Sequence, residues 1–235
     1  MTTNYKHIEI DRATPTIGAY VSGVDLNHVD SDAVYDEIKQ ALWQHGVLFF
    51  RKQALNPESY IRLGNVFGDV EKHEFFPHMA GFPQIQLVAH EGTDTPETDR
   101  WHADVTFRPR PSLVSILRIT DLPPSGGDTM WMSAAAAFEA LGPQMQQMLL
   151  GLRAEHDMPW QFRSSNVYDK LIRKQLLAKV KQGLAQMPTD QETQAMAKAA
   201  EHKMIDDNPS VVHPAVITHP HNGRKVLYVN SIWTK

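Results

Sequence analysis

Trp101-His102-Ala103-Asp104-Val105-Thr106-Phe107 sets an imidazole and a carboxylate two positions apart, among apolar and β-branched residues that predict a strand. Side chains at i and i+2 of a strand share a face. His102 and Asp104 can therefore offer one nitrogen and one oxygen to a single metal ion. A second histidine from elsewhere would complete the two-histidine, one-carboxylate facial triad of non-haem Fe(II) oxygenases, which leaves coordination positions open. On spacing alone the pair reads equally well as a surface histidine beside a solvated carboxylate. The chain has 12 histidines and 27 acidic residues, and such a spacing arises easily by chance.

Working outward, 235 residues suit one large domain, with residues 163–208 as an insertion or lid. Hydrophobic residues make up 42% and charged residues 21%, the balance of a globular protein with a real core. A net charge of −4 argues against a nucleic-acid partner, because phosphate binding needs a basic patch. No uninterrupted apolar run is long enough to span a membrane. Residues 1–6 lack the apolar core of a secretory signal. With no cysteine there is neither a disulfide nor a thiolate metal site, and a cytoplasmic protein is the plain expectation.

Local signals predict the elements. Ser31-Asp32 caps a helix with Val34, Ile38, Ala41 and Leu42 at helical spacing, and Gly46 ends it. Val47–Phe50 reads as a buried strand, and Asn56-Pro57 opens a second helix through about Val66. Gln84–Ala89, Ser112–Thr120 and Thr129–Met132 read as strands, the last after a Gly126-Gly127-Asp128 turn. Ser133 caps an alanine-rich helix that Gly142-Pro143 breaks in two. Val167–Leu184 and Thr189–Lys203 read as helices, the second with a Thr189/Glu192 capping box. His219–Val229 reads as a hairpin around Asn222-Gly223.

Several blocks, in order, resemble the taurine dioxygenase family of Fe(II)/2-oxoglutarate-dependent oxygenases. They are Ile17-Gly18-Ala19 with Val24-Asp25-Leu26, Val47–Arg51, His73 with Pro77-His78 and Gly81, the Trp101–Phe107 stretch, and Leu122–Trp131. Later blocks are Gly151–Asp157, His213–Pro220 and Leu227–Asn230, while residues 163–208 look unlike the family pattern. The resemblance implies an α+β fold with a double-stranded β-helix (jelly-roll) core and surrounding helices. It further implies Fe(II) as cofactor, 2-oxoglutarate and O2 as cosubstrates, and CO2 and succinate as coproducts of a hydroxylation.

Residue by residue, the resemblance makes His102 and Asp104 iron ligands and Thr129 a hydroxyl donor to the 2-oxoglutarate carboxylate. His73 aligns with a histidine that contacts a substrate sulfonate, and Val105 with a residue lining the same pocket. Phe76, Thr98 and Gln161 stand where the family holds a substrate amine with tyrosine, asparagine and serine; Phe162 matches an aromatic wall and Trp233 replaces a smaller aromatic. Losing the tyrosine hydroxyl disfavours a buried ammonium. The expected substrate is therefore a small anionic molecule, a sulfonate or sulfate ester, rather than taurine. An aryloxyalkanoate or other carboxylate is the alternative substrate, and a non-catalytic binding protein on this fold is the alternative class. The resemblance leaves room for a homo-oligomer. His78, His90, His156, His213, His219 and His221 are expected to be surface or satisfied core histidines. In the family the distal iron histidine and the arginines for 2-oxoglutarate follow the Leu-Tyr-Val-Asn block, beyond the last residue of this sequence, which reads as part of a longer chain.

Overall fold

Capping chemistry defines the first helix. Ser31 accepts from the Ala33 amide at 3.3 Å, Asp32 sits in the positive first turn, and α1 runs Asp32–His45. Gly46 closes it at φ 74°, a left-handed conformation natural to glycine, with its N–H on the Leu42 carbonyl at 2.7 Å. Tyr35, Ile38 and Ala41 fall on one face and are buried. α2 (Pro57–Asn65) begins as expected with Asn56 accepting from Ser59 and proline in the first turn.

The computed structural model describes residues 4–72, 77–89, 100–158, 172–173, 175–177, 179–180, 183 and 186–235. The chain divides into two units. The first comprises Met1–Val70, Leu113–Leu152 and Ala215–Tyr228. Its three-stranded sheet, β1 (Glu9–Arg12), β2 (Ala19–Ser22) and β3 (Leu48–Phe50), pairs β1 antiparallel and β3 parallel to β2. Gly18, at φ 90°, lies against Phe49: a Cβ there would stand 3.1 Å from the ring. Ile8, Val21, Leu26, Leu55 and Leu63 pack with the α1 face into one core. Tyr60 donates its hydroxyl to the Ile116 carbonyl at 2.6 Å and Arg118 bonds the Leu55 carbonyl, which fastens the 113–118 segment to α2 and to the chain just ahead of it. Burial raises the Tyr60 pKa above its ordinary value.

Ser133 caps α3 (Ala134–Glu139), accepting from Ala136 at 3.1 Å, and Gly142-Pro143 starts α4 (Pro143–Leu150). Gln146 donates to the carbonyls of Phe138 and Leu141 and so satisfies the end of α3. The expected hairpin forms: strands Val216–Thr218 and Lys225–Leu227 pair antiparallel around a turn with Gly223 at φ 72°. Arg224 clamps Glu139 through two bonds of 2.9 and 2.8 Å. At the tip, Asn222 donates to the Trp43 carbonyl at 2.8 Å and His221 stacks on Trp43 at 4.2 Å.

His219 in that turn accepts on Nδ1 from the His221 and Asn222 amides. A protonated ring cannot accept there. Burial first, then the neighbouring His221 and Arg224, lower its pKa below 6.5. His45 is lowered in the same sense by burial and Arg12. Because the unfolded chain binds the proton more tightly, this stabilisation is complete above about pH 6.5 and is lost as pH falls through the folded value. His219→Gln should therefore show a smaller loss of thermal stability below pH 6.5 than wild type. Superimposable acid profiles would contradict this.

The second unit comprises Glu71–Ser112, Arg153–Pro214 and Val229–Lys235. It holds the pairs His78–Met79 with Phe82–Gln86 (β4, β5) and Arg153–His156 with Val211–Pro214 (β6, β7), both antiparallel. The strands of the first unit's hairpin are then β8 and β9. α5 spans Asp190–Asp207, and its capping box forms: Thr189 Oγ1 accepts from the Glu192 amide while Glu192 accepts from the Thr189 amide at 2.8 Å. Thr193 and Ala197 are buried. Of the expected Val167–Leu184 helix, residues 172–173, 175–177, 179–180 and 183 are described; all are helical except Gly183, which lies in a turn.

Three strand expectations are corrected. Ser112–Thr120 and Thr129–Met132 enter no ladder among the described residues, and a strand exists only where a neighbour completes its hydrogen bonds. Trp101–Phe107 is an irregular segment followed by a turn over residues 104–107. Val105, at φ 48°, reverses the chain there. The described strands thus form four small sheets within a mixed α and β architecture.

Candidate metal and substrate site

The His-x-Asp pair survives the loss of the strand. His102 Nε2 lies 3.5 Å from Asp104 Oδ1, with side-chain exposures of 26% and 53%, so the pair is reachable from solvent. His102 Nδ1 is 2.8 Å from the Arg100 carbonyl, which can only accept. Nδ1 therefore carries a hydrogen in either protonation state, and Nε2 is the nitrogen that faces Asp104, donating to the carboxylate when protonated and offering a lone pair to a metal when neutral. The neutral form is the tautomer a metal-binding imidazole adopts when its other nitrogen is tied to a carbonyl. The hydrogen bond to Asp104 raises the His102 pKa above 6.5, with burial opposing and the Arg100 carbonyl assisting. One imidazole nitrogen and one carboxylate oxygen suit a divalent metal with nitrogen and oxygen preference. No group of three such donors is assembled among the described residues.

The turn beyond the pair is tightly held. Val105 is β-branched, and its positive φ costs on the order of 1–3 kcal/mol and persists only where the surroundings impose it. Thr106, 1% exposed, supplies that constraint. Its hydroxyl meets His156 Nδ1 at 2.9 Å and accepts from the Asn230 carboxamide at 3.1 Å. His213 Nε2 lies 3.1 Å from the Thr106 carbonyl and 3.0 Å from that of Arg108. Arg108 also pairs with Glu71. Phe107 packs with Met158 and Ala197, flanked by Val105, Ile172 and Trp233. Trp233 meets Phe107 edge-on at 4.9 Å and donates its indole N–H to the Ala103 carbonyl at 3.0 Å.

Of the expected site residues, His102, Asp104, Val105 and Trp233 come together in the second unit. Thr129 lies in the first unit, exposed, in an irregular segment after Gly126 and Gly127, which take φ 76° and 72°. His73, Phe76, Thr98, Gln161 and Phe162 lie outside the described residues. His156 is fully buried, and its Nδ1 meets the Thr106 hydroxyl, which makes it a core histidine rather than a surface one. Thr106, Asn230 and His213 were not legible from sequence as surroundings of the His102/Asp104 pair. Their signal was that each sits in a block shared with the family.

Residues 9–234 match the model of the taurine catabolism dioxygenase TauD, TfdA family. An alpha-ketoglutarate-dependent sulfate ester dioxygenase of Pseudomonas putida is 29% identical over 223 residues, covering 94% of this chain and 65% of the relative. Pentalenolactone F synthase of Streptomyces avermitilis is 30% identical over 231 residues, covering 93% of this chain and 69% of that protein. The crystal structure of a taurine dioxygenase from Burkholderia xenovorans superposes with a TM-score of 0.69 at 27% identity, over 98% of this chain and 65% of that one. The chain thus spans about two thirds of the length of these relatives. A match running from the first strand to the last residue but one, through the His102/Asp104 pair, places this chain in the taurine catabolism dioxygenase TauD, TfdA family.

Proposed function

We propose that the protein is an Fe(II)- and 2-oxoglutarate-dependent dioxygenase that hydroxylates a small anionic molecule, with a sulfonate or sulfate ester as substrate class. The observation that carries this is the His102/Asp104 pair, with Nδ1 tied to the Arg100 carbonyl and Nε2 facing the carboxylate. His102 Nε2 and Asp104 would hold the metal. When bound, Fe(II) supplies the redox-active Lewis acid that couples O2 and 2-oxoglutarate, released as CO2 and succinate, to hydroxylation of the substrate.

The chain's own residues bind and orient. Thr129 would donate its hydroxyl to the 2-oxoglutarate carboxylate. His73 would meet the substrate anion, and Val105, Phe76, Phe162 and Trp233 would supply apolar surface that excludes water. Thr98 and Gln161 would offer polar contacts at the other end of the substrate. The jelly-roll core is the framework the family membership supports. Holding the target C–H in one place supplies the rate, with no acid–base residue required. Hydroxylation at the carbon bearing the sulfonate or the sulfate oxygen gives an adduct that collapses to a carbonyl, releasing sulfite or sulfate. Support for this substrate class comes from relatives named for sulfate esters and for taurine. Another relative is named for the synthesis of a lactone, pentalenolactone F, and the substrate assay below therefore includes compounds without sulfur.

Succinate formation should be stimulated by alkyl sulfates or alkanesulfonates, with sulfate or sulfite released in equal amount. Stimulation by aryloxyalkanoates or other carboxylates alone would move the substrate class and leave the iron chemistry in place.

A further inference from the structure

Three side chains of the turn that ends the described chain reach back to the metal pair. Ser231 Oγ donates to the Trp101 carbonyl at 3.2 Å, and Trp233 Nε1 donates to the Ala103 carbonyl at 3.0 Å. Asn230 Nδ2 donates to the Thr106 hydroxyl at 3.1 Å. Acceptors at i and i+2 are thus met by donors at j and j+2, the spacing of a strand ladder carried out by side chains. The two carbonyls bracket His102, and Thr106 follows Asp104 by two residues. The turn is rigid in itself. Asn230 Oδ1 accepts from the Ile232 and Trp233 amides at 3.1 and 2.9 Å, and the Asn230 amide donates to Thr234 Oγ1 at 3.0 Å. It is anchored to β6 as well, through Asp157 N–H on the Trp233 carbonyl at 2.8 Å and Lys235 N–H on the Glu155 carbonyl at 3.0 Å.

We propose that the Asn230–Thr234 turn is a positioning clamp for the His102/Asp104 pair. It replaces the ladder that an irregular segment lacks, and fixes both donors before the metal arrives. Trp233 acts here through its indole N–H, in addition to any surface it shows the substrate. The clamp rests on the reading of His102 and Asp104 as metal ligands. Partners that orient metal ligands from outside typically contribute about 10–100-fold to metal affinity.

The test is Mn(II) binding to the purified protein, followed by the electron paramagnetic resonance signal of free Mn(II) well below the melting temperature of each variant. Ser231→Ala/Trp233→Phe removes both donors while keeping an aromatic ring against Phe107. It should raise the Mn(II) Kd about tenfold or more. Ser231→Thr, which keeps the hydroxyl, should bind as wild type does. If the double variant is unfolded, Trp233→Phe alone is read by the same criterion. An unchanged Kd in a folded variant, with binding still lost in His102→Ala, overturns the clamp and leaves the ligand assignment standing. Equal binding by His102→Ala and wild type overturns the ligand assignment, and the clamp with it.

Discussion

Asp104→Ala is expected to abolish metal-dependent succinate formation and to weaken metal binding by more than the ~10–100-fold typical of losing an outer partner. The carboxylate is the anionic half of the donor pair, 3.5 Å from His102 Nε2. Among the described residues no third His, Asp or Glu joins them to take over its role. Asp104→Asn keeps the shape and one acceptor oxygen but removes the charge, so it should fall between wild type and alanine. Because 53% of the Asp104 side chain is exposed, neither variant should move the melting temperature of the metal-free protein much. Activity lost together with the fold would mean that Asp104 is structural.

The second large effect is on stability. Ile38→Ala should destabilise the first unit by about 2–5 kcal/mol, the range for emptying a well-packed aliphatic site. Ile38 is 2% exposed at the centre of the cluster formed by Ile8, Val21, Leu26, Leu55 and Leu63. Asp36→Ala on the outer face of the same helix removes only its 2.9 Å ion pair with Lys39, and should cost less than about 1 kcal/mol. Denaturant unfolding of the two variants side by side checks the contrast. Equal midpoints would mean that α1 does not key into the core as its buried face indicates.

What could be read in the sequence was local. Ser31, Asn56, Ser133 and Thr189/Glu192 announced helix starts because a capping side chain needs only amides two or three residues away. Asn222-Gly223 announced its hairpin for the same reason. The His102/Asp104 pair was legible because two residues apart is close in almost any extended backbone. Ser112–Thr120 was not, since its apolar pattern promises a strand only if a ladder partner is present. Val105 was not either: a β-branched residue carries no signal for φ 48°. The groups that impose that turn lie far off in sequence, His156 by 50 residues and Asn230 by 124, and no spacing argument reaches across such gaps. Family resemblance brought those blocks to notice without saying what they touch.

The proposed role of His102 and Asp104 is to bind the metal that 2-oxoglutarate chelates. Its most direct test is an anaerobic titration of the protein with Fe(II) and 2-oxoglutarate, followed by the visible metal-to-ligand charge-transfer band. A saturable band is expected in wild type, and its disappearance in both His102→Ala and Asp104→Ala. A band of undiminished intensity in either variant, or none in the folded wild-type protein, would contradict that role.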